Sequence, residues 1–326
     1  GAESSRHMNP APKNDSRSAP TSDSGLAPTH DSGLAPAGDS GLAPASESQL
    51  APTPVFDSKR AFEHLRKQVS FGPRPSGTPA IVETRRYIIE QLKAAGIESR
   101  EQMFIGMTPL GEVSMTNVIA TIPGKRRERI VLASHFDTKL FREFKFVGAN
   151  DGASSTAALL ELGRVLKQRP NEFTIELLFL DGEEARLEWQ GNDNTYGRRH
   201  YVQAGQQDKS LSTVKALVLL DMIGDRDLRI RRDANSTPWL VDIVWAAAAK
   251  TGHSATFSNE LTTIEDDHLP FLRAGVPAVD IIDLDNPTWH TAQDTLEFVT
   301  ARSLQTVGDV VLAALPDIEK RLAASK

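Results

Sequence analysis

Apolar residues recur three and four positions apart along residues 58–68 and 78–95, the spacing of helices with one buried face. The pattern then changes. Runs rich in Val, Ile, Leu and Phe at 116–122 and 130–134 are short and almost wholly apolar, and they predict buried strands. A helical stretch at 153–167, closed by Pro170, leads to a strand at 173–180, and a further strand at 214–220 precedes a helix at 238–250. A short helix at 267–273, a strand at 278–282 and a closing helix at 301–321 complete the series. Short apolar strands alternating with helices predict the α/β class, as a three-layer α/β/α sandwich around a mostly parallel central sheet. No second linker interrupts the alternation, so residues 55–326 are expected to form one catalytic domain.

Residues 1–54 follow a different rule. Between 21 and 52 the octapeptide TSDSGLAP is followed by three variants, THDSGLAP, AGDSGLAP and ASESQLAP. One Leu per repeat buries too little apolar surface to offset the entropy of ordering, and a Pro every eighth position interrupts any helix. These repeats predict a flexible, partly polyproline II tail. Tails of this kind often separate an enzyme from a surface anchor, so the expected location is extracytoplasmic: periplasmic, secreted or surface-tethered. Residues 1–8 have the character of an expression scar.

Composition narrows the chemistry. The 326-residue chain has a formal net charge of −6 and no Lys/Arg-rich cluster to track a phosphate backbone, so nucleic acid is not an expected partner. No apolar run is long enough to span a membrane. There is no cysteine, which excludes disulfides, thiolate metal sites and a Cys nucleophile together. Any metal must be held by His, Asp and Glu, a donor set that suits zinc.

Acids and histidines gather where strands end. The strand at 130–134 runs into His135, Phe136 and Asp137, the strand at 173–180 into Asp181-Gly182-Glu183-Glu184, and the strand at 214–220 into Asp221. Ligands of open α/β sheets bind at the carboxyl edge of the strands. Asp151 lies between Gly148 and Gly152 just before a helix, where an N-cap is the ordinary reading and metal binding is compatible with it. Neighbouring side chains of a regular strand point to opposite faces, so Glu183 and Glu184 reach one site only across a turn, which Gly182 allows. One carboxylate can then bind a metal while the other carries a proton. His290 follows Trp289 in a loop after the last strand.

Together these residues resemble the zinc aminopeptidase superfamily. Two longer stretches are similar to the animal-type glutaminyl-peptide cyclotransferases: Gly182 to Trp189, continued by Tyr196-Gly197-Arg198-Arg199-His200, and Ile264 to Pro277, followed by Trp289-His290-Thr291. The similarity spans about residues 56–315. It implies cyclisation of N-terminal glutamine to pyroglutamate with release of ammonia, on peptides or proteins that begin with Gln. Carried over by position, the resemblance implies one zinc per chain held by Asp151, Glu184 and His290, with Glu183 as acid/base. It assigns Asp221 and Asp266 to the active site and Trp189 and Trp289 to the pocket walls. The chain departs from the pattern at Asp280, where the relatives have a His that partners the residue at Asp266; two carboxyls sharing this space are expected to hold one proton between them. Asp280 is grouped with the substrate-binding residues on that basis.

The same residues leave a second function open. Dimetal aminopeptidases of the superfamily would add His135 and Asp221 as ligands of a second metal and use Glu183 to activate water. A third reading, from a different class, is a non-catalytic peptide-binding domain on a tether. The chain is expected to act as a monomer.

Overall fold

A computed structural model describes residues 53–325. The octapeptide repeats therefore lie outside the described residues. The residues from Pro52 onward form one unit. It opens with helices α1 (Ser58–Ser70) and α2 (Pro79–Ala94), each entered through a side chain that caps free backbone amides, Asp57 and Thr78 respectively. Strands β1 (Glu98–Thr108), β2 (Gly111–Ile122) and β3 (Arg126–His135) follow. An irregular turn, Ala149–Ser154, then enters α3 (Ser155–Lys167), and β4 (Phe173–Leu180), α4 (Tyr196–Gln207) and β5 (Val214–Asp221) come next. Beyond them lie β6 (Ile230–Asp233), α5 (Pro238–Lys250), β7 (Phe257–Thr262), α6 (Leu269–Arg273), β8 (Ala278–Ile282) and α7 (Ala301–Ala324).

Six strands form one sheet in the order β1-β2-β4-β3-β5-β8, and β6 and β7 pair separately. Strands β4, β3, β5 and β8 run parallel, while β1 and β2 form an antiparallel edge, so the sheet is mostly parallel. The alternation of side chains across it builds two cores. Ile130 and Leu132 of β3 pack with residues of α1, α2, α3, α5 and α7, whereas Val131 and Ala133 face the opposite side with Tyr201 and Val202 of α4 and Phe271 of α6. Helices thus cover both faces, giving the expected three layers.

Elements that the apolar pattern missed are the polar ones. β1 alternates exposed and half-buried positions at the sheet edge, and α4 carries two Arg, a His and three Gln among its residues. Their apolar contacts come from neighbours: β1 pairs with β2, and α4 packs Tyr201 and Val202 against Ile119, Leu178 and Leu180 of β2 and β4. Because β3, β4, β5 and β8 are parallel, the residues at their C-terminal ends meet on one edge of the sheet.

Candidate active site

The turn after β4 brings two adjacent carboxylates into one site. Gly182 has φ +67°, and a Cβ there would stand 2.5 Å from Met115 Sδ, so both the conformation and the space call for glycine. The Asp137 carboxylate, at the end of β3, accepts hydrogen bonds from the backbone amides of Glu183 and Glu184, each 3.1 Å long. Asp294 does the same for the other acidic segment, accepting from the amides of Asn150 (2.7 Å) and Asp151 (3.0 Å). Asp151 is not a helix cap, contrary to the ordinary reading of its position. Helix α3 begins after Ser154, and the Asp151 carboxylate turns inward to two histidines. Gly152, at φ +101°, allows that reversal.

Asp151, Glu184 and His290 converge. His290 Nε2 lies 3.0 Å from Asp151 Oδ2 and 3.4 Å from Glu184 Oε1. Donors of a tetrahedral zinc site, with bonds of about 2.0–2.2 Å, stand about 3.3–3.6 Å apart; the His290–Glu184 spacing falls in that range and the His290–Asp151 spacing is a little shorter. The other Asp151 oxygen is 3.2 Å from His135 Nε2, which also reaches Asp221 Oδ1 at 3.3 Å and Glu183 Oε2 at 3.8 Å. Asp151, Glu183, Glu184 and Asp221 are all buried, and the groups paired with them here are histidines, not Lys or Arg. Buried carboxylates crowded in this way call for a cation.

The electrostatics say the same. Burial pushes the Glu184 carboxyl up to about 7, and Asp151 pushes it the same way. Burial takes Glu183 well above the usual carboxylate range, with Glu184, Asp267 and Asp266 adding to the shift and His135 opposing it. His290 is pushed up to about 10 against the lowering effect of burial, through its hydrogen bonds to Asp151 and Glu184. Glu183, Asp221 and Asp266 also cluster, with one oxygen of each within 4.8 Å of the others.

These groups open into a cavity of about 450 Å³. Asp151, Glu183, Glu184, Asp221, Asp266 and His290 form its floor, while Trp189, Trp289, Leu187, Ile264 and Leu284 contribute apolar wall. Trp189 and Trp289 are 38% and 53% exposed, so neither is a core residue. Trp245, by contrast, is buried and Trp239 packs against the core.

Asp280 requires a correction. It does not line the cavity, because it sits in β8, buried, behind Asp266. Burial and then the neighbouring Asp266 carboxyl hold Asp280 well above the carboxylate range. Its other neighbour is His268, whose Nδ1 is 3.5 Å from Asp280 Oδ2 and whose Nε2 is 2.7 Å from Asp233 Oδ2. Asp233 also accepts from Ser236 Oγ and from the amides of Asn235 and Ile264. Burial works to raise the Asp233 carboxyl, but the bonds from these partners outweigh it and hold it below the usual carboxylate range. The sequence pattern gives Asp233 and Asp294 no role and marks Asp137 only as a residue beyond a strand end. Asp137 and Asp294 work through backbone amides distant in the chain, and Asp233 through His268, so no local spacing marks them.

Comparison with known proteins places the chain in a family. The family described as Peptidase family M28 matches residues 117–315. A glutaminyl-peptide cyclotransferase of Drosophila melanogaster is 29% identical over 276 residues, covering 75% of this chain and 78% of its own. A glutaminyl-peptide cyclotransferase-like protein of Bos taurus is 30% identical over 284 residues, covering 74% and 71%. The crystal structure of an Acidobacteriales bacterium glutaminyl cyclase superposes with a TM-score of 0.79 at 42% identity, covering 86% of this chain and all of that one (100%).

Proposed function

The chain belongs to peptidase family M28, and from that premise we propose that it cyclises N-terminal glutamine of peptides to pyroglutamate, releasing ammonia, as a glutaminyl-peptide cyclotransferase. One observation carries the reading. Glu184 is spent on His290, whereas its neighbour Glu183, with His135 3.8 Å away, lines a cavity shared with Trp189 and Trp289. The named relatives support the same activity.

A single zinc held by Asp151, Glu184 and His290 would act as a Lewis acid on the glutamine side-chain carbonyl and stabilise the charge developing on its oxygen. The remaining work falls to the chain's own residues. The peptide's α-amine attacks the side-chain carbonyl carbon, the new C–N bond closes the five-membered ring, and the bond to the amide nitrogen breaks. Glu183, with its proton affinity raised by burial, takes the proton from the attacking amine and delivers it to the departing ammonia. Asp221 and Asp266 hold the amide nitrogen beside it. Trp189 and Trp289 exclude water, so that hydrolysis does not compete. A free α-amine titrates at about 7.7–8.0, so activity rises toward mildly alkaline pH. We also read the protein as a monomer and, on the strength of the Pro-punctuated tail, as working outside the cytoplasm; among the described residues no helix is long and apolar enough to cross a membrane.

The dimetal aminopeptidase reading retains one observation in its favour: Asp151, His135 and Asp221 form a second possible donor set on the far side of Asp151. Incubating a Gln-initiated peptide and weighing the product separates the two. Loss of ammonia with every residue retained supports cyclisation, while a shortened peptide and a free amino acid overturn it. Elemental analysis reading two zinc ions per chain would overturn the single-metal site.

A further inference from the structure

Two of the three residues read as metal ligands are held by hydrogen bonds. Asp137 fixes the backbone of Glu184, and Asp294 fixes the backbone of Asp151. The third, His290, is held differently. Ligating histidines usually donate the other ring N–H to a carboxylate or carbonyl. Here, among the described residues, only Nε2 of His290 makes polar contacts, to Asp151 and Glu184. Its backbone offers no ready orientation either, since φ is +52°, in the left-handed region that non-glycine residues rarely adopt.

Aromatic rings surround the imidazole instead. Trp289 stacks on it with centroids 4.2 Å apart and planes 18° from parallel. Phe141 and Phe146 meet it edge-on, at 5.6 Å and 73° and at 5.8 Å and 85°. The two phenylalanines contact each other at 5.2 Å, and Phe144 stacks on Phe141 at 4.5 Å, so the rings brace one another. All three phenylalanines come from the loop between β3 and the Ala149–Ser154 turn, which lies far in sequence from His290.

We propose that Phe141, Phe146 and Trp289 form an aromatic clamp that orients His290 for the metal, and that the 141–146 loop thereby sets how tightly the protein retains it. The proposal rests on the ligand assignment given above. Phe141 and Phe146 are positioning residues: they touch the ligand and not the substrate cavity. An imidazole bonded to a cation is electron-poor, which favours packing against π faces such as that of Trp289. The perpendicular phenylalanines and the stacked indole restrict rotation of the ring.

The test is zinc affinity of the full chain, measured by competition with a chromophoric chelator, together with the rate of zinc release. Loss of a residue that orients a ligand typically weakens metal binding about 10-fold to 100-fold. Phe141→Ala is expected to weaken zinc binding about 10-fold, with faster release and an unchanged melting temperature of the zinc-free protein. Phe141→Tyr, which restores the ring, should recover the affinity. Phe146→Leu should act in the same direction, and because Phe146 is buried, the half-buried Phe141 carries the decision if that variant misfolds. Wild-type affinity and release in Phe141→Ala overturns the clamp. His290→Ala separates that failure from a wrong ligand set. If it loses zinc while Phe141→Ala does not, the clamp alone is wrong, and if it keeps wild-type affinity, both fall.

Discussion

Glu183 and Glu184 are the same residue type one position apart, yet the turn after β4 gives them different partners. Glu184 bonds His290, and Glu183 faces the cavity beside Asp221 and Asp266. Glu183→Gln keeps the volume and removes the proton carrier. It should lower kcat by about 10²- to 10⁴-fold and leave the zinc content at the wild-type value, measured by turnover of a Gln-initiated peptide and elemental analysis. If full activity persists in that variant, Glu183 is not the shuttle. Asp280 tests a subtler point. Burial raises the Asp266 carboxyl to about 7 even though the neighbouring Asp280 carboxyl, itself held well above the usual range, works to lower it. An amide donates a weaker hydrogen bond to a carboxylate than a carboxyl does, so Asp280→Asn should keep much of the activity while moving the acid limb of the pH profile upward. A profile that superposes on the wild type would refute the coupled pair.

At the scale of elements, the site depends on how the sheet edge is tied. Asp137 and Asp294 each satisfy two buried backbone amides, and leaving such a donor unpaired costs about 1–3 kcal/mol. Asp137 continues β3 and Asp294 follows the His290 loop, so each carboxylate fastens one ligand-bearing turn to a different part of the chain. Gly182 is the pivot of the first turn. Gly182→Ala places a Cβ against Met115 Sδ and strains a residue at φ +67°, so a melting-temperature drop matching about 1–3 kcal/mol is expected, together with weaker zinc binding as Glu184 shifts. Loss of stability with zinc affinity intact would show that the turn tolerates displacement without moving Glu184.

Across the whole molecule, burial has raised the carboxyls of Asp181, Glu184, Asp266, Asp267 and Asp294 to about 7. In the unfolded chain Asp and Glu titrate near about 3.9 and 4.3. A folded-state value above the unfolded one means that the folded protein binds protons more tightly. The stability contributed by these groups is therefore complete below about pH 4 and is lost as pH rises through about 7. His290, raised to about 10, adds a loss of the same sign above about pH 6.5. The zinc-free protein should thus melt at falling temperature between about pH 5 and pH 8, and saturating zinc should recover most of the loss at the alkaline end, because a cation favours ionised ligands. A flat melting profile for the zinc-free form would mean that water or backbone relaxation already accommodates these charges.

Apolar patterning by itself determined the layer architecture and most of the sheet, because strands buried on both faces are nearly all apolar and leave a mark at each position. It also determined that acids and histidines close β3, β4 and β5, and so that a site lies on that edge. The polar elements β1 and α4 left no such mark, since their burial comes from neighbours and not from their own composition. Tertiary structure alone decided which acids meet. Asp151 might have capped α3, and Asp280 might have faced the substrate; chain geometry turned the first toward two histidines and buried the second behind Asp266. The supports of the ligands were likewise invisible in sequence. Asp137, Asp294 and the phenylalanines around His290 act on residues remote in the chain, through amides and ring faces that carry no spacing signal. A residue's type sets the chemistry it can offer, whereas its distance and angle to partners from other elements set which chemistry it performs.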